Sequence, residues 1–267
     1  MKQKGESPAF MKIEELFSVK DKIALVTGGS RGLGLVIARA YVENEAKVYV
    51  SSRKADACKK AAEELSAFGE CIALPADVSL SSDRERLVRQ LVEREKHLNI
   101  LVNNAGAAWG APLEEYPEDG FDKVMDLNVK SVFMLTRDLL PLLQKAASPD
   151  DPARIINLGS MEGIMVSGYD NYAYSISKAA VHHMTKVLSA KVGPRAITVN
   201  AIAPGYFETK MTNWMLATYR DEIVANAPLG RLGTPPDIAG IAIYLASRAG
   251  AYVNGAIIPV DGGTSAK

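Results

Sequence analysis

Cysteine is nearly absent from this sequence: Cys58 and Cys71 are the only two in 267 residues. Two thiols cannot make a disulfide framework, and they lack the paired spacing of a zinc site. A reducing compartment is the natural setting, and packing the natural use of both. An excess of either charge is also missing. Lys plus Arg and Asp plus Glu each number 31, so no net field draws the chain toward nucleic acid or an anionic membrane. No apolar run approaches the ~20 residues that span a bilayer, and residues 1–22 mix both signs of charge where a signal peptide carries an apolar core. The expected address is cytoplasmic, with neither nucleic acid nor membrane as partner. Histidine is scarce, and the adjacent His182 and His183 lack the carboxylate or HExxH spacing of zinc chemistry. No metal is expected, and both are read as packing or surface residues.

What is present is an ordinary core-forming composition, 48% hydrophobic and 23% charged, enough for one α/β domain. Short β-rich runs recur at Ile23 to Val26, Val48 to Ser51, Cys71 to Ala76, Ile100 to Asn103, Arg154 to Leu158, Ile197 to Ile202 and Ala256 to Val260. Between the first two, Leu33, Val36, Ile37, Ala40 and Tyr41 share one helical face, as a crossover helix requires. Repeated βαβ units predict an α/β fold: a Rossmann-like, doubly wound, seven-stranded parallel sheet with helices on both faces, in a single domain. Residues 1–17 are read as an N-terminal arm or tag. Residues 147–152 form a loop before the fifth strand. Tyr206 to Pro235, weakly patterned and placed beyond the carboxyl end of the sixth strand, is read as a segment covering substrate.

Directly after the first strand, Thr27-Gly28-Gly29-Ser30-Arg31-Gly32-Leu33-Gly34 opens a helix, so backbone N–H groups and the helix dipole can hold a pyrophosphate. The spacing GxxxGxG departs from GxGxxG, and only its place between strand and helix gives it weight. About 20 residues on, where a carboxylate would accept from the ribose hydroxyls of NAD, the chain reads Ser51-Ser52-Arg53. Arg53, with Arg31, fits a 2′-phosphate instead. The cofactor expected is therefore NADP(H). Asp77 is placed to accept from an adenine amino group. Asn103 and Asn104 either line that site or satisfy backbone groups at a strand end.

Tyr174-Ser175-Ile176-Ser177-Lys178 heads a predicted helix, with Tyr174 and Lys178 four residues apart on one face. A tyrosine with an ordinary pKa near ~10 is a poor proton relay at neutrality, and the adjacent ammonium is expected to lower it. Tyr174 would then protonate a carbonyl oxygen as hydride arrives from a nicotinamide, while the Ser160 hydroxyl holds the developing oxyanion.

Taken in order, TGGSRGLG at 27–34, NNAG at 103–106, Asn128 in LNV, Ser160, Tyr174 with Lys178, PG at 204–205 and DGG at 261–263 resemble the short-chain dehydrogenase/reductase family. The likeness runs from about Leu16 to Gly263, within a domain set at 18–267. It implies a tetrad of Asn128, Ser160, Tyr174 and Lys178, Asn128 holding a water that relays protons to Lys178. Cofactor contacts are expected from Gly28, Ser30, Arg31, Gly32, Leu33 and Gly34 in the turn. Further contacts are expected from Ser52, Arg53, Asp77, Val78, Asn104, Ala105 and Gly106. Around the nicotinamide they are Tyr174, Lys178, Pro204, Gly205, Phe207 and Thr209, with the Phe207 backbone facing the carboxamide.

Ser160 precedes Tyr174 by 14 positions, one more than is usual in the family, so residues 161–173 are expected to be remodelled around the substrate. Tyr172 is rejected as the acid because Ile176, not lysine, lies four residues on. This spacing, Trp109 to Leu113, and Ile202 to Gly205 look like the β-ketoacyl reductase branch, especially reductases associated with rhamnolipid synthesis. The expected reaction is reduction of a 3-oxoacyl thioester on acyl carrier protein or coenzyme A. A sugar, polyol or secondary-alcohol dehydrogenase is the rival, and a non-catalytic cofactor sensor the distant one. Met161, Met165, Met211 and Met215 flank the cleft, where an acyl chain or plain core filling could use them. By the same likeness a homotetramer is expected, packed through the helices around 121–143 and 174–191.

Overall fold

Strands covered by helices on both faces must be apolar on both, and the first strand of this protein buries every residue. The computed structural model describes residues 10–267. In chain order its elements are α1 (Ile13–Leu16), β1 (Ile23–Thr27), α2 (Gly32–Glu43), β2 (Lys47–Ser51), α3 (Ala55–Leu65), β3 (Cys71–Ala73), α4 (Ser81–Arg94) and β4 (Ile100–Asn103). There follow α5 (Glu118–Met125), α6 (Ser131–Ala146), β5 (Ala153–Leu158), α7 (Tyr172–Val192), β6 (Ile197–Pro204), α8 (Asn213–Asn226), α9 (Pro235–Ala246) and β7 (Ile257–Val260). Along β1, Ala24 and Val26 pack with α2, α3 and α9, whereas Ile23 and Leu25 pack with α4, α6 and the end of α7. This period of two divides the core into the two layers of an α/β sandwich.

The sheet is seven-stranded, in the order β3-β2-β1-β4-β5-β6-β7, and every neighbouring pair is parallel. The chain builds outward from β1 to β3, then returns to β4 on the other side of β1 and builds the opposite way. That reversal opens a crevice at the carboxyl ends of β1 and β4, where doubly wound sheets take ligands. The fold expected from the sequence is thus the fold observed.

Boundaries moved for local reasons. The third strand stops at Ala73 because Pro75 has no N–H for the ladder, although Leu74 still donates to Val50 and Ala76 to Ser52. The sixth runs on to Pro204, held by the pairing of Ala203 with Pro259 and Pro204 with Val260. Residues 206–235 contain a helix, α8, that periodicity did not reveal. Its apolar residues are spread around the axis, and it kinks at Tyr219 (φ −119°). The arm or tag expected over 1–17 falls partly outside the described residues, which begin at Phe10. Within them, α1 leads to Phe17, whose ring lies 6.4 Å from that of Tyr244 on α9.

Candidate active site

The glycines after β1 have distinct jobs. Gly28 (φ +65°) and Gly32 (φ +55°) take left-handed backbone conformations that turn the chain from strand into helix. Gly34 is needed for closeness: a Cβ there would lie 2.3 Å from Asn104 Nδ2 and 2.5 Å from the Gly28 carbonyl. Thr27 and Asn104 then bolt the turn to the end of β4. Asn104 Nδ2 donates to the carbonyls of Thr27 (2.9 Å) and Gly28 (3.2 Å), and Thr27 Oγ1 accepts from the N–H groups of Asn104 (3.0 Å) and Ala105 (3.1 Å). Of the two uses open to asparagine here, the Asn104 side chain takes the structural one. Asn103 does likewise, donating to Asn157 (2.9 Å) and Thr136 (3.2 Å) in the core.

The turn forms one end of a cavity of about 1510 Å³ that reaches the catalytic candidates at the other. Ser30, Arg31, Leu33, Ser52, Arg53, Asp77, Val78, Asn104, Ala105 and Gly106 all line it. Asp77 is more committed than its sequence position suggests. Its Oδ1 accepts from Ser79 N (3.1 Å) and Oγ (2.6 Å), leaving Oδ2 turned to Arg53 at 4.0 Å. Arg53 is exposed, with nothing closer to fix it than that loose pair, so its guanidinium is available to an anion. Ser51 Oγ, buried at the end of β2 on the cavity wall, has no hydrogen-bond partner among the described residues. An orphaned hydroxyl, a cradle of backbone N–H groups and two arginines together fit a phosphorylated dinucleotide.

At the far end, Ser160 follows β5 and Tyr174 and Lys178 lie on α7. Lys178 is buried, and its Nζ donates to the Leu158 carbonyl at 2.7 Å while lying 5.5 Å from the centre of the Tyr174 ring. Burial pushes Lys178 down to about 8. The expected lowering of Tyr174 by that ammonium is not found. Burial pushes Tyr174 up to about 12, opposed by its hydrogen bond with Ser160 and reinforced by the Glu162 charge. The physical reason is that loss of solvent dominates, while the neighbouring ammonium is itself desolvated and engaged by a carbonyl.

Asn128 lies in a π-helical turn, 126–130, between α5 and α6; such turns often mark functional sites. Its side chain is fully occupied: Oδ1 accepts from Ala107 N (2.8 Å), and Nδ2 donates to Ala107 O (2.9 Å) and Ser177 Oγ (2.9 Å). Pro204, Gly205, Phe207 and Thr209 also border the cavity. The Phe207 carbonyl accepts from Thr212 Oγ1 at 2.6 Å, and Thr209 faces Gly32 across the cleft. Tyr172 is tied to Asp170 through its hydroxyl at 2.9 Å and meets Tyr116 edge-on. The segment 161–173 joins the Trp109 loop through a hydrogen bond from Ala111 N to Asp170 O (3.0 Å). Met161 and Met215 are buried on the cavity wall, whereas Met165 is exposed.

Against known proteins, residues 28–265 match the family model described as enoyl-(acyl carrier protein) reductase. A rhamnolipids biosynthesis 3-oxoacyl-[acyl-carrier-protein] reductase of Pseudomonas aeruginosa is 48% identical over 92% of this chain and 97% of its own. The chain belongs to the short-chain dehydrogenase/reductase family. Among solved structures of that family, the Pseudomonas aeruginosa RhlG/NADP active-site complex superposes with a TM-score of 0.91 at 47% identity, covering 94% of this chain and 99% of that one. A gluconate 5-dehydrogenase from Burkholderia cenocepacia, in complex with NADP and tartrate, gives 0.89 at 28% identity, covering 96% of this chain and 100% of that one.

Of the two histidines read from the sequence as packing or surface residues, His182 packs, at a place the sequence reading did not give it. His182 is buried, and its ring fills the space that a Cβ on Gly159 or Gly163 would need; its Nε2 accepts the Ser160 N–H at 3.4 Å. It therefore shapes the turn carrying Ser160. Its position one helical turn after Lys178, with glycines flanking Ser160, was the available signal. Burial lowers His182 to about 4. Between its ordinary value of about 6.5 and 4, the unfolded chain takes up a proton that the folded chain refuses. Stability is thus full above that window and falls as pH drops through it. Urea unfolding at pH 7 and pH 4.5 should show a loss on the order of 2 kcal/mol from this group. His182→Gln should lose less over the same interval; an equal loss would show that His182 does not drive it.

Proposed function

We propose that this short-chain dehydrogenase/reductase reduces a 3-oxoacyl thioester to the 3-hydroxyacyl thioester with NADPH. The observation that carries the reading is one cavity with Arg31 and Arg53 at one end and Ser160, Tyr174 and Lys178 at the other. No carboxylate occupies the position after β2 that would favour the ribose hydroxyls of NAD and repel a 2′-phosphate, and the arginines attract one. The backbone N–H groups of 28–34 would hold the pyrophosphate, with Thr209 placed opposite Gly32 beside them.

When bound, NADPH supplies hydride to the carbonyl carbon. Tyr174, kept as a phenol by burial, donates its proton to the carbonyl oxygen, and the Ser160 hydroxyl steadies that oxygen as charge develops. Lys178 orients the nicotinamide ribose and leads the proton back to Tyr174. Because the Asn128 amide is engaged with Ala107 and Ser177, a relay water would not be held by that side chain. The buried methionines 161 and 215 give the acyl end an apolar, deformable wall.

Acyl carrier protein and coenzyme A are the proposed carriers, and the proposed assembly is a homotetramer. Exposed Phe133 on α6 and Ile176 and Val187 on α7 support that assembly, and sedimentation velocity reads it directly. Among the described residues, no helix is long and apolar enough to cross a membrane. The purified protein should oxidise NADPH with acetoacetyl-coenzyme A at a kcat/KM at least about tenfold above that with NADH, and Arg31→Ala with Arg53→Ala should erase that preference. Turnover confined to sugars or alcohols would move the activity to the rival dehydrogenases.

A further inference from the structure

Glu162 is a charged residue of the substrate end that the reaction does not use. It sits two residues after Ser160, and its N–H donates to Ser160 Oγ at 3.2 Å. Its Oε2 accepts from Asn171 Nδ2 (2.7 Å) and Ser175 Oγ (3.0 Å) at the head of α7. Both partners are neutral, so they fix the carboxylate without cancelling its charge. The cavity also holds cations, Lys178 with Nζ donating to the Leu158 carbonyl, Lys123 over the Trp109 ring at 5.0 Å, and Lys210, but among the described residues none of them forms a salt bridge with Glu162. Glu162 lines the cavity beside Ser160, Tyr169, Tyr174 and Tyr206, and its field raises the proton affinity of all three tyrosines.

We propose that Glu162 is a specificity-determining residue that rejects ketones carrying a carboxylate near the reacting carbonyl and admits uncharged thioesters and esters. This inference rests on the proposed function and sharpens it. A 3-oxo acid and its thioester share the ketone; they differ by one negative charge two carbons from it. A fixed like charge within a few ångströms of the bound carboxylate opposes entry by roughly tenfold.

The test compares ethyl acetoacetate with acetoacetate, which share the 3-oxobutanoyl skeleton, for the wild type, Glu162→Gln and Glu162→Asp. The substitution Glu162→Gln keeps an acceptor oxygen for Asn171 and Ser175 but removes the charge, and NADPH affinity by fluorescence reports an intact fold. The wild type should favour the ester in kcat/KM by at least about tenfold. Glu162→Gln should cut that ratio about tenfold, mainly through KM for acetoacetate, while Glu162→Asp keeps it. In parallel, malonate binding to the NADPH complex should tighten about tenfold in Glu162→Gln. An unchanged ratio together with unchanged malonate binding would overturn the role of Glu162. Should the wild type reduce neither the ester nor any thioester, the proposed function fails, and malonate binding alone decides the charge filter.

Discussion

Tyr174→Phe is expected to lower NADPH-dependent ketone reduction by about 10³-fold, the range a positioned general acid contributes, while NADPH still binds within a few-fold of the wild-type affinity. The ring keeps its place on α7; only the hydroxyl that reaches the carbonyl oxygen is lost. Burial holds the phenol protonated to about 12, so reduction should not depend on Tyr174 ionisation across the neutral range. The reverse reaction needs the phenolate and should climb with pH over that same range. Lys178, brought down to about 8 by burial, loses its ammonium as pH rises past that value. Reduction in the wild type should therefore be flat below about pH 8 and decline above it. Stopped-flow single turnover with Tyr174→Phe separates binding from chemistry. A variant that kept more than a tenth of the wild-type rate would remove Tyr174 from the proton path.

The sheet was legible because its strands alternate with periodic helices, and the order of the βαβ units leaves one way to wind them. The ends of the strands were not, since Pro75 stopped β3 and pairing with β7 extended β6; both are effects of neighbours. The candidates Ser160, Tyr174 and Lys178 were legible as residue types at a spacing, and the fold brings them to one end of one cavity. Their proton affinities were not legible. A spacing of four places an ammonium near a phenol, but whether charge or desolvation wins depends on enclosure by residues far away in sequence. The same holds for His182 and Glu162. Each acts through contacts between the turn after β5 and the helix α7, which only the packed structure defines.

The gluconate dehydrogenase likeness and the ketoacyl reductase likeness share the dinucleotide half of the molecule, so the choice between them lies in the segments around the substrate. In this chain those segments are joined. The Trp109 loop bonds to Asp170, Tyr169 packs edge-on to Trp214 of α8 at 6.1 Å, and Glu162 holds Asn171 and Ser175. These contacts tie the Trp109 loop, the segment 161–175 and α8 into one wall beside Ser160 and Tyr174.

Gly34→Ala is expected to weaken NADPH binding by at least about thirtyfold and to reduce stability by about 1–3 kcal/mol, the usual cost of forcing atoms into a packed site. The added Cβ would stand 2.5 Å from the Gly28 carbonyl and 2.3 Å from Asn104 Nδ2. The amide could swing away only by dropping its bonds to Thr27 and Gly28, and the carbonyl belongs to the turn itself. Either movement separates the glycine turn from the start of α2, so the N–H groups no longer converge on one anion. Gly240→Ala is the control, because a Cβ there meets nothing within 4 Å; on a helix it should hold or raise stability and leave affinity alone. Isothermal titration with NADPH and urea unfolding on both variants read the two effects separately. If Gly34→Ala bound NADPH like the wild type, close approach at this glycine would not be what shapes the pyrophosphate site.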